Sequence, residues 1–191
     1  MKISEVKLPE IIGVTGLARS GKDTFCAIAA KTLSKYDKKL MKGGFADAVK
    51  ADVHQLLVKR AGISAYTEIP EEKVLIRPLL VAYGTNLMRK MNKDVWVNRV
   101  KPMLDLSRTT KIPLVITDVR YQNEVDWIKE EGGKIVYVEQ EGIKPPNAEE
   151  RKNDPIMRKS ADVFIKWEHV GDKNLSKLSS KVTKALKELS C

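Results

Sequence analysis

Nine consecutive residues, Gly16-Leu17-Ala18-Arg19-Ser20-Gly21-Lys22-Asp23-Thr24, carry the strongest chemical signal in the chain. They follow a short apolar, β-branched run, Ile11–Thr15, and lead into Phe25, Ile28, Ala29 and Leu33 at helical spacing. A Gly-x-x-x-x-Gly-Lys segment between a strand and a helix is a phosphate cradle. Its glycines let backbone N–H groups curl around phosphate oxygens, and the helix N-terminus adds a positive partial charge. Gly16, Ala18, Arg19, Ser20 and Gly21 are the candidate wall of that cradle, and Lys22 would reach the outer phosphates of a nucleotide. Asp23 stands where Ser or Thr normally holds magnesium, and Thr24 comes one residue late. Both are hard-oxygen donors, so both are candidates for Mg2+. The plain alternative is a glycine-rich turn without a ligand.

A second candidate follows the apolar run Leu114–Thr117. There Asp118 ends a strand at the sheet edge where ligands bind in open α/β folds. Asp118 could hold magnesium through water, and Arg120 could clamp a phosphate in bidentate fashion. An ion pair between the two, or a helix cap, would explain them equally. Asp47 and Lys50 open another helix after a weak strand over Lys39–Phe45; they could orient an acceptor and meet its phosphate, or simply cap the helix and face water. Gln122 and Asn123 could read a base edge, with helix capping as the alternative for Asn123. Trp96 reads as core packing more readily than as a stacking surface.

The elements that must position these residues alternate. After the first strand and helix, the spacing predicts a helix over 47–60 with Val49, Val53, Leu56 and Leu57 on one face. A polar loop over 62–72 follows. Pro78 then suits the first turn of a helix carrying Leu80, Tyr83, Leu87 and Met91, with Gly84-Thr85 in its middle. Glycine there costs up to about 1 kcal/mol against alanine, which points to a close backbone approach or a ligand contact. Further helices are expected over 95–106 and 121–131, and strands over 114–117, 134–138 and 163–165. In a terminal helix, Leu175, Leu178, Val182, Ala185, Leu186 and Leu189 share one face. Lys173, Lys177, Lys181, Lys184 and Lys187 lie largely away from it, as on an ordinary solvated helix. Strands alternating with helices imply an α/β domain with a parallel sheet and right-handed crossovers.

Length and composition agree with one such domain. The chain has 191 residues, 42% hydrophobic and 31% charged, the mix of a globule rather than a disordered segment. Thirty-five Lys and Arg against twenty-five Asp and Glu leave +10, which favours anionic partners. Two cysteines, Cys26 and Cys191, exclude a disulfide framework, and two histidines, His54 and His169, are too few for an ordinary zinc site. Charges in the first ten residues stand where a signal peptide would carry its apolar core. No apolar run approaches the roughly 20 residues of a membrane span, and a cytoplasmic protein is expected.

Four segments in order, GLARSGKDT, GGFADAVK, RPLLVAYGTNLMRKMNKDVWV and VITDVRYQNEVDWIKEEGG, resemble the bacteriophage-type deoxynucleoside monophosphate kinases. They touch Gly16 through Gly133. The resemblance implies a P-loop fold, three α/β/α layers around a mostly parallel sheet of about five strands, in one kinase domain. Within it the family has a helical acceptor-binding region, here about 46–107, and a lid, here about 140–160. It implies transfer of the ATP γ-phosphate to a deoxynucleoside 5′-monophosphate with Mg2+. Arg89 looks like the family's phosphate-binding arginine, and Arg77, Gly84, Thr85 and Trp96 fall with it in the acceptor block. Glu141–Lys159 reads as a long, basic, proline-marked connection suited to a lid, with Arg151 and Arg158 as candidate transition-state charges. Where members often carry a His-x-Ser-Glu-like stretch, this chain has Asn147-Ala148-Glu149-Glu150. The implied partners are ATP and a deoxynucleoside monophosphate, with a homodimer left open and the host cytoplasm as location if a phage encodes the chain.

Three rivals differ in what they would bind. Another small P-loop kinase, of the dephospho-coenzyme A or phosphomevalonate type, would share the cradle and differ in acceptor. A nucleic-acid-stimulated ATPase would use the basic charge, but aromatics are only 6% and no nucleic-acid module is recognisable. A non-catalytic nucleotide sensor would account for Asp23 in place of a hydroxyl residue.

Overall fold

In the computed structural model, which describes residues 2–168 and 175–190, the sheet is built around β1, Ile11–Thr15. All five residues of β1 are buried, as expected of a central strand covered on both faces. Its partners are β3, Leu114–Ile116, and β4, Lys134–Gln140; β2, Met41–Gly43, and β5, Val163–Trp167, form the edges. The order is β2-β3-β1-β4-β5 and every pairing is parallel. The fold is therefore a five-stranded parallel α/β sheet, as the alternating pattern predicts.

Helices cover both faces. Ile12 and Val14 of β1 pack with Phe25, Ala29 and Leu33 of α1, Lys22–Ser34, and with Val182, Leu186 and Leu189 of α8, Leu175–Glu188. Gly13 points the other way: a Cβ there would lie 2.8 Å from Ile128 in α6, Gln122–Glu130. On the α8 apolar face, Leu178, Val182, Ala185, Leu186 and Leu189 are all buried, as the spacing requires. Lys177, Lys181, Lys184 and Lys187 are exposed. Lys173, His169, Cys191 and the side chain of Leu175 lie outside the described residues.

The chain forms two units, Gly44–Lys101 and the remainder. The smaller one holds α2, Phe45–Ala61; α3, Pro70–Val81; a π-helical segment, Ala82–Met88; the single turn α4, Arg89–Met91; and the start of α5, Val95–Thr110. Its core joins Val53 and Leu57 to Ala65 and Ile76.

Several sequence expectations shift here. The weak strand ends at Gly43, and Phe45 already belongs to α2. The helix expected from Pro78 starts at Pro70, with Glu71 and Glu72 favourably placed in its first turn, and Pro78 lies in its interior. Leu56, Leu87 and Met91, expected on apolar faces, are 53%, 50% and 75% exposed. The 3.6-residue period fails at 82–88 because a π-helix advances more slowly per residue, which rotates Leu87 and Met91 off the α3 face. The connection expected over 141–159 contains a helix instead, α7, Ala148–Ser160, capped by Asn147 and carrying Pro155 internally.

In the turn from α6 into β4, Gly133 leaves no room for a side chain. A Cβ at Gly133 would lie 2.6 Å from the Ile11 carbonyl oxygen and 2.7 Å from that of Ile128. Both are backbone atoms and cannot swing aside. Gly133→Ala is expected to destabilise the fold by about 1–3 kcal/mol, read as a lower urea midpoint.

Candidate functional site

The cradle forms where β1 runs out. Gly16 has φ 133° and Gly21 φ 90°, both in the region that favours glycine. A Cβ on Gly16 would stand 2.2 Å from the Val138 carbonyl oxygen, and one on Gly21 2.6 Å from the Trp167 ring. Arg19 also takes a left-handed φ, 66°. The Leu17 carbonyl accepts from Ser20 N–H at 3.1 Å, closing the turn, and the indole of Trp167 donates to the Ser20 carbonyl at 2.9 Å. Ser20 is buried, and its Oγ has no hydrogen-bond partner among the described residues.

Lys22 is folded into this loop. Its Nζ donates to the carbonyls of Gly16 at 2.8 Å and Leu17 at 2.7 Å. Burial first, and the neighbouring Arg120 second, push its amine down to about 8, against the opposing pull of Glu150, Asp23 and Asp118. Those four charged groups thus share one electrostatic neighbourhood with the lysine.

The strand beside β1 supplies the second part. In register, Ile116 of β3 pairs Gly13 of β1, so Asp118 and Arg120 emerge at the same carboxyl edge as Gly16. Thr15 Oγ1 donates to the Val119 carbonyl at 2.8 Å, and Val119 N–H to the Val14 carbonyl at 3.2 Å, tying that loop to the end of β1. The buried carboxylate of Glu124 accepts from the Arg120 and Tyr121 amides at 2.7 and 3.1 Å, fixing where α6 begins. Arg120 pairs with Glu150 of α7 at 3.1 Å, and the other oxygen of Glu150 accepts the Ala18 N–H at 2.8 Å.

Other predicted residues go elsewhere. Gln122 bonds Asp126 one turn along its own helix, at 2.6 Å. Arg158 pairs Glu139 at 2.5 Å and lies over the Tyr137 ring, whose hydroxyl donates to Asp154 at 2.5 Å. That group edges a cavity of about 270 Å3 reaching Leu17 and Ser20. Arg151 is exposed on α7, and Asn123 is half-buried in the first turn of α6, after the Tyr121 cap.

Within the smaller unit, Asp47 and Lys50 lie 3.6 Å apart in the first turns of α2, and Lys50 stands over the Tyr66 ring. Arg77 is exposed on α3; Thr85 lies in the π-helical segment, directly before α4 and its Arg89. The close approach expected at Gly84 is to Val49, 3.0 Å from a Cβ placed there. Trp96 is 1% exposed and donates its indole N–H to the Gly84 carbonyl at 3.0 Å. Trp96 falls in the acceptor block of the resemblance but does not line a binding surface: a buried indole offers no face to a base and instead holds the π-helical segment in place.

For magnesium, Asp23, Thr24 and Asp118 are hard-oxygen donors of the right chemistry. Asp23 and Thr24 are exposed at the start of α1, and Asp23 holds Lys42 at 2.8 Å. Among the described residues no three His, Cys, Asp or Glu side chains gather into a metal cage. A set of one or two carboxylates suits an ion that arrives on nucleotide phosphates.

Sequence reasoning missed Glu150, Glu124, Thr15 and Trp167 as parts of the site. Only Asn147-x-x-Glu150 carried a local signal, that of a helix start.

Residues 38–182 match the sequence model of the family described as deoxynucleotide monophosphate kinase. The chain belongs to that family. The match begins after the cradle and runs beyond Gly133, so Gly16–Thr24 rest on their own pattern and geometry. A protein of Acanthamoeba polyphaga mimivirus, named "Putative deoxynucleotide monophosphate kinase", is 24% identical over 189 residues, covering 90% of this chain and 93% of that one. Among solved structures, TT1252 from Thermus thermophilus aligns over 97% of this chain and all of its own, with 19% identity and a TM-score of 0.46. A shikimate kinase from Bacteroides thetaiotaomicron aligns over 91% of this chain and 94% of its own, with 14% identity and a TM-score of 0.44. As a member of the deoxynucleotide monophosphate kinase family the protein is a phosphotransferase acting on nucleotides. No helix among the described residues is long and apolar enough to cross a membrane.

The state of Lys22 has a pH consequence. The folded chain holds this proton less tightly than the unfolded one, so between about pH 8 and the ordinary lysine value of 10.5 stability rises with pH. Phosphates reverse the balance by favouring the ammonium form. ATP binding is therefore expected to take up close to one proton at about pH 9 and far less at about pH 7. Calorimetry in buffers of differing ionisation enthalpy measures this, and Lys22→Met should abolish the uptake.

Proposed function

We propose that the protein transfers the γ-phosphate of ATP to a deoxynucleoside 5′-monophosphate, giving the diphosphate and ADP. The observation that carries this reading is a half-buried lysine folded into a glycine-rich loop at the end of the central strand, in a chain of this family. The loop amides between Gly16 and Gly21, with Arg19 and Lys22, would hold the donor's β- and γ-phosphates. Lys22 and Arg120 would offset the charge that develops as the phosphoryl group moves. Magnesium, when bound, neutralises charge shared between the β- and γ-oxygens. Asp23, Thr24 and Asp118 would hold it, and Asp23 must then release Lys42.

The acceptor set we propose is Asp47, Lys50, Arg77, Thr85 and Arg89, all in the unit Gly44–Lys101. Arg89 would neutralise the acceptor phosphate against its repulsion from the donor, and Asp47 would orient the acceptor. We assign the lid to α7 with the turn that precedes it, Arg151 and Arg158 being its cations. No covalent intermediate is required.

A coupled ADP-release assay tests this, with ATP, magnesium and dAMP, dGMP, dTMP, dCMP, 5-hydroxymethyl-dCMP, the ribonucleotides, dephospho-coenzyme A and phosphomevalonate. Turnover is expected on at least one deoxynucleotide, reduced at least about a hundredfold by Lys22→Ala. Turnover confined to a non-nucleotide acceptor would overturn it.

A further inference from the structure

We infer that Glu150 is a built-in occupant of the phosphate cradle, which the donor's triphosphate must displace. This rests on reading Gly16–Lys22 as the triphosphate site.

The carboxylate of Glu150 is placed as a phosphate oxygen pair would be. One oxygen accepts a cradle amide, Ala18 N–H, at 2.8 Å; the other meets the guanidinium of Arg120 at 3.1 Å. Backbone amides of such a loop and an arginine fork are the two donors that recognise phosphate. The Glu150 side chain is only 11% exposed, and its charge bears directly on Lys22. An internal anion thus sits among cationic and N–H groups that a triphosphate would need.

The local sequence makes this use unexpected. Asn147 caps α7 by accepting the Glu150 N–H at 2.8 Å, which puts Glu150 three residues into the helix. A glutamate there ordinarily returns to the cap's own N–H, yet both Glu150 oxygens reach across to the cradle and to Arg120. The adjacent Glu149 accepts the Tyr121 hydroxyl. Two consecutive acids thereby fasten the first turn of α7 over the loop.

The space left beneath them is small. The pocket edged by Gly16, Arg120, Tyr121, Glu149 and Glu150 measures about 30 Å3, whereas a neighbouring one of about 270 Å3 reaches Leu17 and Ser20 of the same loop. A phosphate that takes up Ala18 N–H and Arg120 therefore requires the Glu150 carboxylate to leave, which frees both donors and the first turn of α7 in a single exchange. Binding is weakened by the contacts that are lost, and those same contacts tie the loop to α7.

The test is calorimetric titration of the full chain with inorganic tripolyphosphate, ATP and adenosine, for wild type, Glu150→Gln and Glu150→Asp. Glu150→Gln is expected to tighten tripolyphosphate and ATP by about tenfold and to leave adenosine unchanged. Glu150→Asp, which keeps the charge on a shorter stem, should tighten phosphate by less. Phosphate affinity that is unchanged or weaker in Glu150→Gln overturns the proposal, as does equal tightening of adenosine. In wild type, the side-chain carboxyl carbon resonance of Glu150 should shift on saturation with tripolyphosphate; one that stays in place while phosphate binds also overturns it, and needs no variant to fold. Binding lost with Lys22→Ala but indifferent to Glu150 removes this inference alone. Phosphate that binds no form, wild type or variant, removes the triphosphate reading together with it.

Discussion

The functional half of this molecule depends on one constraint: backbone amides and a lysine must converge at a point where a strand ends and a helix begins. A right-handed backbone cannot make that turn, so Gly16, Arg19 and Gly21 take positive φ. The surroundings close off any other residue at the glycines. The Val138 carbonyl of β4 stands against Gly16, and the Trp167 ring of β5 covers Gly21. The two strands on that side of β1 thus act as the wall against which the cradle is pressed, and the Trp167 indole bond to Ser20 pins its far side.

Charge around Lys22 follows from that geometry. The turn brings the ammonium among carbonyls and out of water, which costs it part of its proton affinity. Arg120 adds repulsion, and Glu150, Asp23 and Asp118 offset it. Placing acids around a cation-rich loop keeps the ligand-free protein from carrying uncompensated buried charge. Under the proposed triphosphate reading the same acids would compete with, or assist, a phosphate according to where they point. Asp23 is exposed and spent on Lys42, whereas Glu150 is turned inward onto the loop itself.

The smaller unit has its own organising contact. The Trp96 indole holds the Gly84 carbonyl while Val49 packs over the Gly84 Cα, so the π-helical segment is gripped from both α5 and α2. Asp52 adds a polar clamp, accepting from Tyr83 and Arg99. Burial and that hydrogen bond raise the Tyr83 phenol above its usual range, keeping it a donor. A π-turn at this place presents Thr85 and Arg89 with a spacing that a regular helix would not give.

Much of the architecture follows from short-range pattern. Although β3 ends at Ile116, two residues short of Asp118, the glycine-rich loop Gly16–Lys22, the buried run of β1, the apolar core of β3 and the apolar face of α8 are written in residue types at fixed offsets. So is the parallel α/β class, because strands and helices alternate. Tertiary structure alone decided what depends on distant partners. The helix register over 70–91 is not legible locally, because Pro70 and Pro78 carry the same signal and a π-helical segment breaks the 3.6-residue period. Trp96 reads as core from its sequence, and only its burial removes the alternative of a stacking surface. Glu150 lies 132 residues from Ala18, and nothing within its own helix says that its carboxylate will bypass the nearby cap for the loop that follows the neighbouring strand β1. That choice is made by the parallel packing of β1, β3 and β4, which brings the ends of three separate strands to one edge.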